Sequence, residues 1–485
     1  MSNIPGITIL GLGPGDPSLL TRQAWHVLES ITEIYLRTKQ HPTVNSFPKP
    51  LTIYSYDYLY ENAETFEAVY EQIVEQIIKL GSRPRGVVYA VPGHPFVAEA
   101  TSHAIYRQAR DIGLPVRIIE GLSFLEPTFT ALAIDPLPHI AIVDALELVI
   151  DHVPPFPPDA PALIAQIHSP SIATEVKLTL MEVYPDEHPV KLVHASGTPL
   201  HQVETLPLYQ IDRSPMVGMT TTLFLPGLEA YTSFESFQEI IAHLRAPEGC
   251  PWDREQTHQS LRPHLLEETY EALDALDKND PAALQEELGD ILLQIVLHAQ
   301  IANEYGEFSM ADILKSISAK IIQRHPHVFG DLKVEGVEHV LKNWEVLKAA
   351  EREANGKVED SILDGITPSL PALAQADQYQ RRVARVGFDW PDIQGVIQKV
   401  NEELSEVIRA EDLPSRADEV GDLLFTIVNL ARHYEIDAES ALRETNARFR
   451  KRFRFIEDEA RAQGKSITAL SLDEMDAYWQ LAKGI

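Results

Sequence analysis

Leu266-Glu267-Glu268-Thr269-Tyr270-Glu271 is followed fifteen residues later by Glu287-Leu288-Gly289-Asp290-Ile291-Leu292. Asn401-Glu402-Glu403-Leu404-Ser405-Glu406 is followed, after twelve residues, by Glu419-Val420-Gly421-Asp422-Leu423-Leu424. An EExxE segment and an ExGD segment thus occur twice, which reads as an internal repeat. Positions i, i+3 and i+4 share one helix face, so Glu267 and Glu268 line up with Glu271, and Glu287 with Asp290. Within the first copy, Lys278-Asn279-Asp280-Pro281 supplies a turn, with Asp280 as N-cap and Pro281 at the first helical position. In the second copy a turn is expected at Leu413-Pro414-Ser415. Each copy is predicted to be two antiparallel helices that gather four carboxylates. Gly289 and Gly421 would let those helices approach closely. The apolar runs after Asp290 and Asp422 put both aspartates at the edge of a core.

Carboxylates held so close repel one another, and a hard cation relieves the repulsion. Mg²⁺ favours a few carboxylates together with substrate phosphates. The candidate metal ligands are Glu267, Glu268, Glu271, Glu287 and Asp290, and in the second copy Glu402, Glu403, Glu406, Glu419 and Asp422. A carboxylate not committed to metal could take a proton from the attacking water; Glu268 or Glu271, and Glu403 or Glu406, are the alternatives. Phosphates also need cations. Asn446, Arg448 and Arg452 lie on one basic helical run, in which Phe449 and Phe453 are expected to face the core. Arg381, Arg382 and Arg385 form a second cluster, and Lys320 with Arg324 a third. His325, His327 and Cys250 read as structural residues. A solvated helix face is the competing reading for one EExxE segment; repetition of the whole two-part pattern counts against it.

The 485 residues carry a net charge of −31, about −11 before residue 227 and −20 after it. Such a field disfavours nucleic acid and anionic membranes as partners, and a phosphate-bearing ligand must arrive with its charge compensated. No run of eighteen apolar residues suggests a membrane span. The start shows no basic flank and cleavage site, so a secretory signal is not expected. A single cysteine excludes an internal disulfide framework and suits a reducing cytoplasm.

Residues 1–226 alternate short β-branched runs with amphipathic segments, an α/β pattern with crossover helices. Residues 7–10, 87–91, 116–119, 163–167 and 191–194 read as strands, and residues 67–80 as a helix. The proline-dense stretch 153–161 is expected to link two lobes, about 1–120 and 121–226. From Phe234 onward helical periodicity dominates, with a break expected over residues 355–369. The domains are therefore set at 1–226, 227–360 and 361–485. Gly11-Leu12-Gly13-Pro14-Gly15-Asp16 follows the first strand, and its glycines allow close backbone approach to a ligand. Asp16 stands where a dinucleotide fingerprint needs its third glycine, so that reading is excluded.

Beyond the acidic motifs, Cys250-Pro251-Trp252-Asp253, Arg324-His325-Pro326-His327-Val328-Phe329, Gly387-Phe388-Asp389-Trp390 and residues 446–454 make the region from about 234 to 485 similar to the MazG family of all-α nucleoside triphosphate pyrophosphohydrolases. The resemblance implies Mg²⁺-dependent cleavage between the α- and β-phosphates and a house-cleaning role toward (d)NTPs, with the second copy as main catalyst. The loops at residues 11–16, Val91-Pro92-Gly93-His94-Pro95 and Gly121-Leu122-Ser123-Phe124 make residues 1–226 resemble the tetrapyrrole methylases. That likeness implies S-adenosylmethionine near Gly13, Pro14, Gly15, Asp16, Pro92, Gly93, His94 and Ser123, and a tetrapyrrole-like or other methyl acceptor. The third loop departs from the Pro-Gly and Ser-Ser pairs usual in methylating members. The whole arrangement resembles bacterial methylase–MazG fusions of the YabN type. Two alternatives stand beside it: a methyltransferase whose helical half is structural, and a regulator that binds S-adenosylmethionine and nucleotide without turnover. A homodimer is expected, because such helices need partners for their apolar faces.

Overall fold

The computed structural model describes residues 6–62, 65–337, 339–340, 343–344, 347 and 361–484. It divides into two compact units, Met1–His243 and Leu244–Ile485.

The first unit opens with five strands, β1 (Ile7–Gly11), β2 (Glu33–Leu36), β3 (Thr52–Ser55), β4 (Val87–Val91) and β5 (Val116–Ile119). All pair in parallel, in the order β3-β2-β4-β1-β5. Parallel neighbours need long crossovers. These are α1 (Arg22–Ser30), α2 (Asp57–Asn62) with α3 (Phe66–Gly81), and α4 (Ala100–Asp111). Successive side chains of β1 point to opposite faces. Ile7 and Ile9 pack with Ile73, Ile77 and Ile105 from α3 and α4, while Leu10 packs with Ala24 and Leu28 from α1. The sheet is thus covered on both faces, as a parallel sheet requires.

The second lobe follows with α5 (Leu125–Leu132), β6 (Ala141–Asp144), α6 (Ala145–Leu148), β7 (Ala162–Ala165), α7 (Pro170–Met181), β8 (Pro189–His194), β9 (Gln202–Pro207) and β10 (Thr221–Leu225). Its sheet runs β6-β7-β10-β8-β9, parallel only at β6–β7. This overturns the reading of residues 153–161 as an inter-lobe linker. The prolines lie between β6 and β7, inside the second lobe. Proline marks irregular backbone but says nothing of which sheets the flanking strands join.

Beyond the sheets the chain is helical. The unit boundary falls inside α8 (Phe234–Arg245), followed by α9 (Pro251–Glu255), α10 (His258–Lys278), α11 (Pro281–Glu304), α12 (Met310–Arg324) and α13 (Pro326–Phe329). Then come α14 (Ala372–Ala384), α15 (Ile393–Arg409), α16 (Leu413–His433), α17 (Ala438–Ala462) and α18 (Leu472–Ala482). The break expected over residues 355–369 lies outside the described residues as far as 360.

Each acidic motif sits on a helical hairpin, α10 against α11 and α15 against α16. Asp280 caps α11, accepting from Ala282 N at 3.1 Å and Ala283 N at 3.2 Å, and Pro281 follows at the first position. The second hairpin turns earlier than its sequence suggests. Leu413, Pro414 and Ser415 already form the first turn of α16, and Asp412 is the N-cap, accepting from Ser415 N at 2.8 Å. Proline is at home there because first-turn N–H groups have no helical acceptor.

Two ion pairs fasten the segment before each hairpin to the end of its second helix. Arg245 grips Glu304 through two bonds of 2.9 and 2.7 Å. In the second copy Asp389 accepts from Arg432 Nη2 at 2.5 Å and lies 3.2 Å from His433 Nε2. Across the copies, Arg443 of α17 donates to Asp277 of α10 at 2.9 Å. Gly289 and Gly421 do not serve close helix approach: a Cβ at either would meet nothing within 4 Å.

Candidate active site

Helix spacing and the hairpins together bring three carboxylates into each of two groups. Glu268, Glu287 and Asp290 form one, and Glu403, Glu406 and Glu419 the other, with one oxygen of each residue within 4.8 Å of the others in its group. Glu271 and Asp422 stand outside these tight triplets but act on them as neighbouring negative charges. Glu267 and Glu402 turn outward and are exposed: Glu267 lies 3.8 Å from His264 Nδ1, and Glu402 is 2.9 Å from Lys399 Nζ. Asp422 is exposed rather than at a core edge, and the apolar Leu424 and Phe425 beside it are about half exposed.

Burial, then crowding by like charges, raises the pKa of Glu268, chiefly through Asp290 and Glu271. The same causes raise Glu287 and Glu419. Each of these carboxylates pays for proximity when ionised, the condition that a bound cation relieves. Glu403 is the most enclosed, only 4% exposed. Its Oε1 accepts an ion pair from Lys399 Nζ at 2.6 Å, whereas its Oε2 is buried without a hydrogen-bond partner. A buried carboxylate oxygen with no partner is uncommon and calls for a ligand. An all-oxygen donor set of this kind suits a hard cation such as Mg²⁺. Lys399 did not figure among the sequence candidates, although its i, i+4 spacing to Glu403 was readable.

The basic candidates divide sharply. Arg382 is occupied by backbone, donating to the carbonyls of Ile362, at 2.9 Å, and Asp364. Arg381 pairs with Asp377 at 2.6 Å, and Arg385 also has a partner. Arg448 donates to Glu444 at 3.1 Å and Thr445 at 2.7 Å, on an exposed helix face beside Asn446. Arg452 lies over the Trp479 ring, 5.7 Å from its centroid, and Arg324 lies likewise over Trp344 at 5.5 Å. Phe449 and Phe453 do not enter a core as expected. Their rings stack at 6.1 Å, Phe449 leans on Trp479, and they stay 57% and 36% exposed, because α17 buries Ile456 and Ala460 instead.

In the first unit, three loops at the C-terminal ends of β1, β4 and β5 meet through glycine. Gly13 and Gly93 exchange backbone bonds of 3.2 and 2.8 Å. A Cβ on Gly121 would lie 2.5 Å from the Gly93 carbonyl, and one on Gly11 would lie 2.7 Å from Gly121 N. Gly13 and Gly93, at φ +71° and +67°, hold a left-handed conformation that favours glycine. Across from them, Pro14 packs on Gly197 of the second lobe, and Asp16 N donates to the Gly197 carbonyl at 2.9 Å. The polar candidates serve local structure: Asp16 accepts from Ser18 N at 2.8 Å, His94 Nδ1 from Phe96 N at 3.0 Å, and Ser123 Oγ donates to Glu126 at 2.7 Å. Pro92, Gly93 and His94 are half-buried, whereas Ser123 is buried. The three loops therefore meet through backbone, and Asp16, His94 and Ser123 are engaged locally.

A family profile described as MazG nucleotide pyrophosphohydrolase domain matches residues 256–329 and 395–454. A second, tetrapyrrole (corrin/porphyrin) methylases, matches residues 6–212. YabN of Bacillus subtilis (strain 168), described as an uncharacterized protein, is 42% identical over 98% of both chains. The nucleoside triphosphate pyrophosphohydrolase/pyrophosphatase MazG of Thermotoga maritima is 45% identical over 53% of this chain and 98% of its own. The nucleoside triphosphate pyrophosphohydrolase of Escherichia coli (strain K12) is 46% identical over 50% of this chain and 94% of its own.

A carboxyl whose pKa is raised by folding favours the fold while protonated; that contribution is present at acid pH and lost as pH rises through the raised value. Glu287→Gln should therefore raise the thermal midpoint of the helical half at pH 8 in EDTA, and do so less at pH 5. A midpoint unchanged or lowered at pH 8 would count against crowded carboxylates.

Proposed function

This chain belongs to the family of tetrapyrrole methylase–MazG fusion proteins, and we propose that it hydrolyses nucleoside triphosphates to the monophosphate and diphosphate with Mg²⁺. The observation that carries this reading is the pair of three-carboxylate groups, one of them holding the unpartnered Glu403 Oε2. The catalytic repeats proposed are residues 227–360 and 361–485, after a methylase domain at 1–226. Glu268, Glu287 and Asp290, and Glu403, Glu406 and Glu419, would hold Mg²⁺, whose charge would offset that developing on the phosphates and acidify the attacking water. Water adds to the α-phosphorus, the bond to the β-phosphate oxygen breaks, and diphosphate leaves. Glu268 or Glu271, and Glu403 or Glu406, accept the water's proton. Arg448 and Arg452, with Asn446, are the residues proposed to bind the phosphates. Arg382 is set aside, since backbone carbonyls already hold it. Removal of unwanted (d)NTPs in the cytoplasm is the role proposed.

Asp290→Asn and Asp422→Asn should each disable one repeat. Together they should lower diphosphate release from NTP and Mg²⁺ by about two orders of magnitude or more. Full activity in the double variant would sink the carboxylate assignment.

For the first unit we propose S-adenosylmethionine at the glycine-lined junction of the three loops, in support of methyl transfer to a tetrapyrrole-like or other acceptor. The fit rests on the meeting of the three loops through Gly13, Gly93 and Gly121 at the strand ends, with a Cβ on Gly93 meeting nothing nearer than 4.0 Å. Gly93→Val should abolish the heat of S-adenosylmethionine binding; no heat from the parent protein would reduce the domain to a scaffold. A homodimer is also proposed, supported by exposed Leu266, Leu276, Leu288, Leu404, Leu424 and Phe425. Light scattering on an eluting peak should give twice the chain mass of 54.3 kDa, and a monomer mass would refute it.

A further inference from the structure

The two acidic groups differ in what already neutralises them. In the second, Lys399 Nζ sits 2.6 Å from Glu403 and 2.9 Å from Glu402, a permanent positive charge inside the ligand set. In the first, the residue at the same place, four before Glu268, is His264, whose imidazole lies 3.8 Å from the outward Glu267 and also acts on Glu268. Among the described residues no lysine or arginine pairs with Glu268, Glu271, Glu287 or Asp290. A divalent ion entering the first group therefore meets no ammonium or guanidinium paired with its carboxylates among the described residues. One entering the second must approach an ammonium held against the same carboxylate, and the repulsion between the two cations opposes it. A triphosphate changes that balance, because its oxygens offer the ammonium another anion and bring their own metal.

We propose that the two sites fill in order: the first repeat takes a divalent cation alone, and the second takes one only with a nucleoside triphosphate that draws Lys399 off Glu403. Lys399 is thus a positioning residue that keeps the empty second site closed to free metal. Glu403 is suited to this exchange, since Oε1 holds the lysine while Oε2 is buried without a partner. The first site becomes a resident metal site and the second a site for the metal–triphosphate complex. This rests on reading both groups as cation sites.

Counting bound Mn²⁺ by electron paramagnetic resonance on the full chain at pH 7.5 tests the order without reference to activity. The parent protein should bind one tight ion per chain, lost in Asp290→Asn. An α,β-methylene nucleoside triphosphate, which resists cleavage, should raise the count to two. Lys399→Met, and independently Lys399→Gln, should bind two ions without nucleotide, with second-site affinity raised about tenfold or more. Two equivalent ions in the nucleotide-free parent, or a count still at one in both folded lysine variants, would overturn the ordering. No ion under any condition would overturn the metal sites themselves. The nucleotide arm uses the unaltered protein, so it decides the matter even if both variants fail to fold.

Discussion

Like charges forced together by apolar packing are the constraint on which the helical half depends. Ala272 and Ala275 of α10, and Val296 and Leu297 of α11, are buried, and burial of that kind draws the helices of a hairpin together. The carboxylates one face away are carried along to within 4.8 Å of one another. The hydrophobic gain is collected along the length of the hairpin, while the electrostatic penalty is concentrated at one spot. A fold arranged in this way stores a local demand for positive charge. In the second copy Lys399 meets part of that demand from within; in the first no lysine or arginine among the described residues pairs with the three carboxylates.

The first unit solves a different crowding problem. Three loops converge where β1, β4 and β5 end, and side chains there would collide with backbone at about 2.5 Å. Glycine removes the collision and lets the loops close on one another backbone to backbone. Asp16, His94 and Ser123 hold the same loops in shape through short local bonds.

Helix-borne features were legible in the sequence because their geometry is local. The spacing of Glu268, Glu287 and Asp290, and the capping role of Asp280, follow from 3.6 residues per turn and from backbone groups left unpaired at helix ends. What stayed hidden depends on partners far along the chain. The short strands β2, β3, β6, β9 and β10 are four to six residues long, and pairing decides them rather than pattern. Arg382 looked available until the loop carbonyls of Ile362 and Asp364 proved to hold it. Gly289 and Gly421 looked like contact points, but the space beside them is open, which no local rule could reveal. Lys399 lay within reach of the same spacing rule that exposed the acids around it.

The ion pairs that clamp each hairpin run in opposite senses. In the first copy the leading segment supplies the cation, Arg245, and the hairpin end the anion, Glu304; in the second the leading segment supplies Asp389 and the hairpin end Arg432. Had both copies used the same polarity, the leading segment of one could have closed on the hairpin of the other. Exchanged, Arg245 would face Arg432 and Asp389 would face Glu304, and each wrong closure would meet its own charge. Duplicated sequence invites such mispairing during folding, within a chain or between chains. Reversing one clamp lets two hairpins with the same acidic pattern share a chain while each recognises its own half.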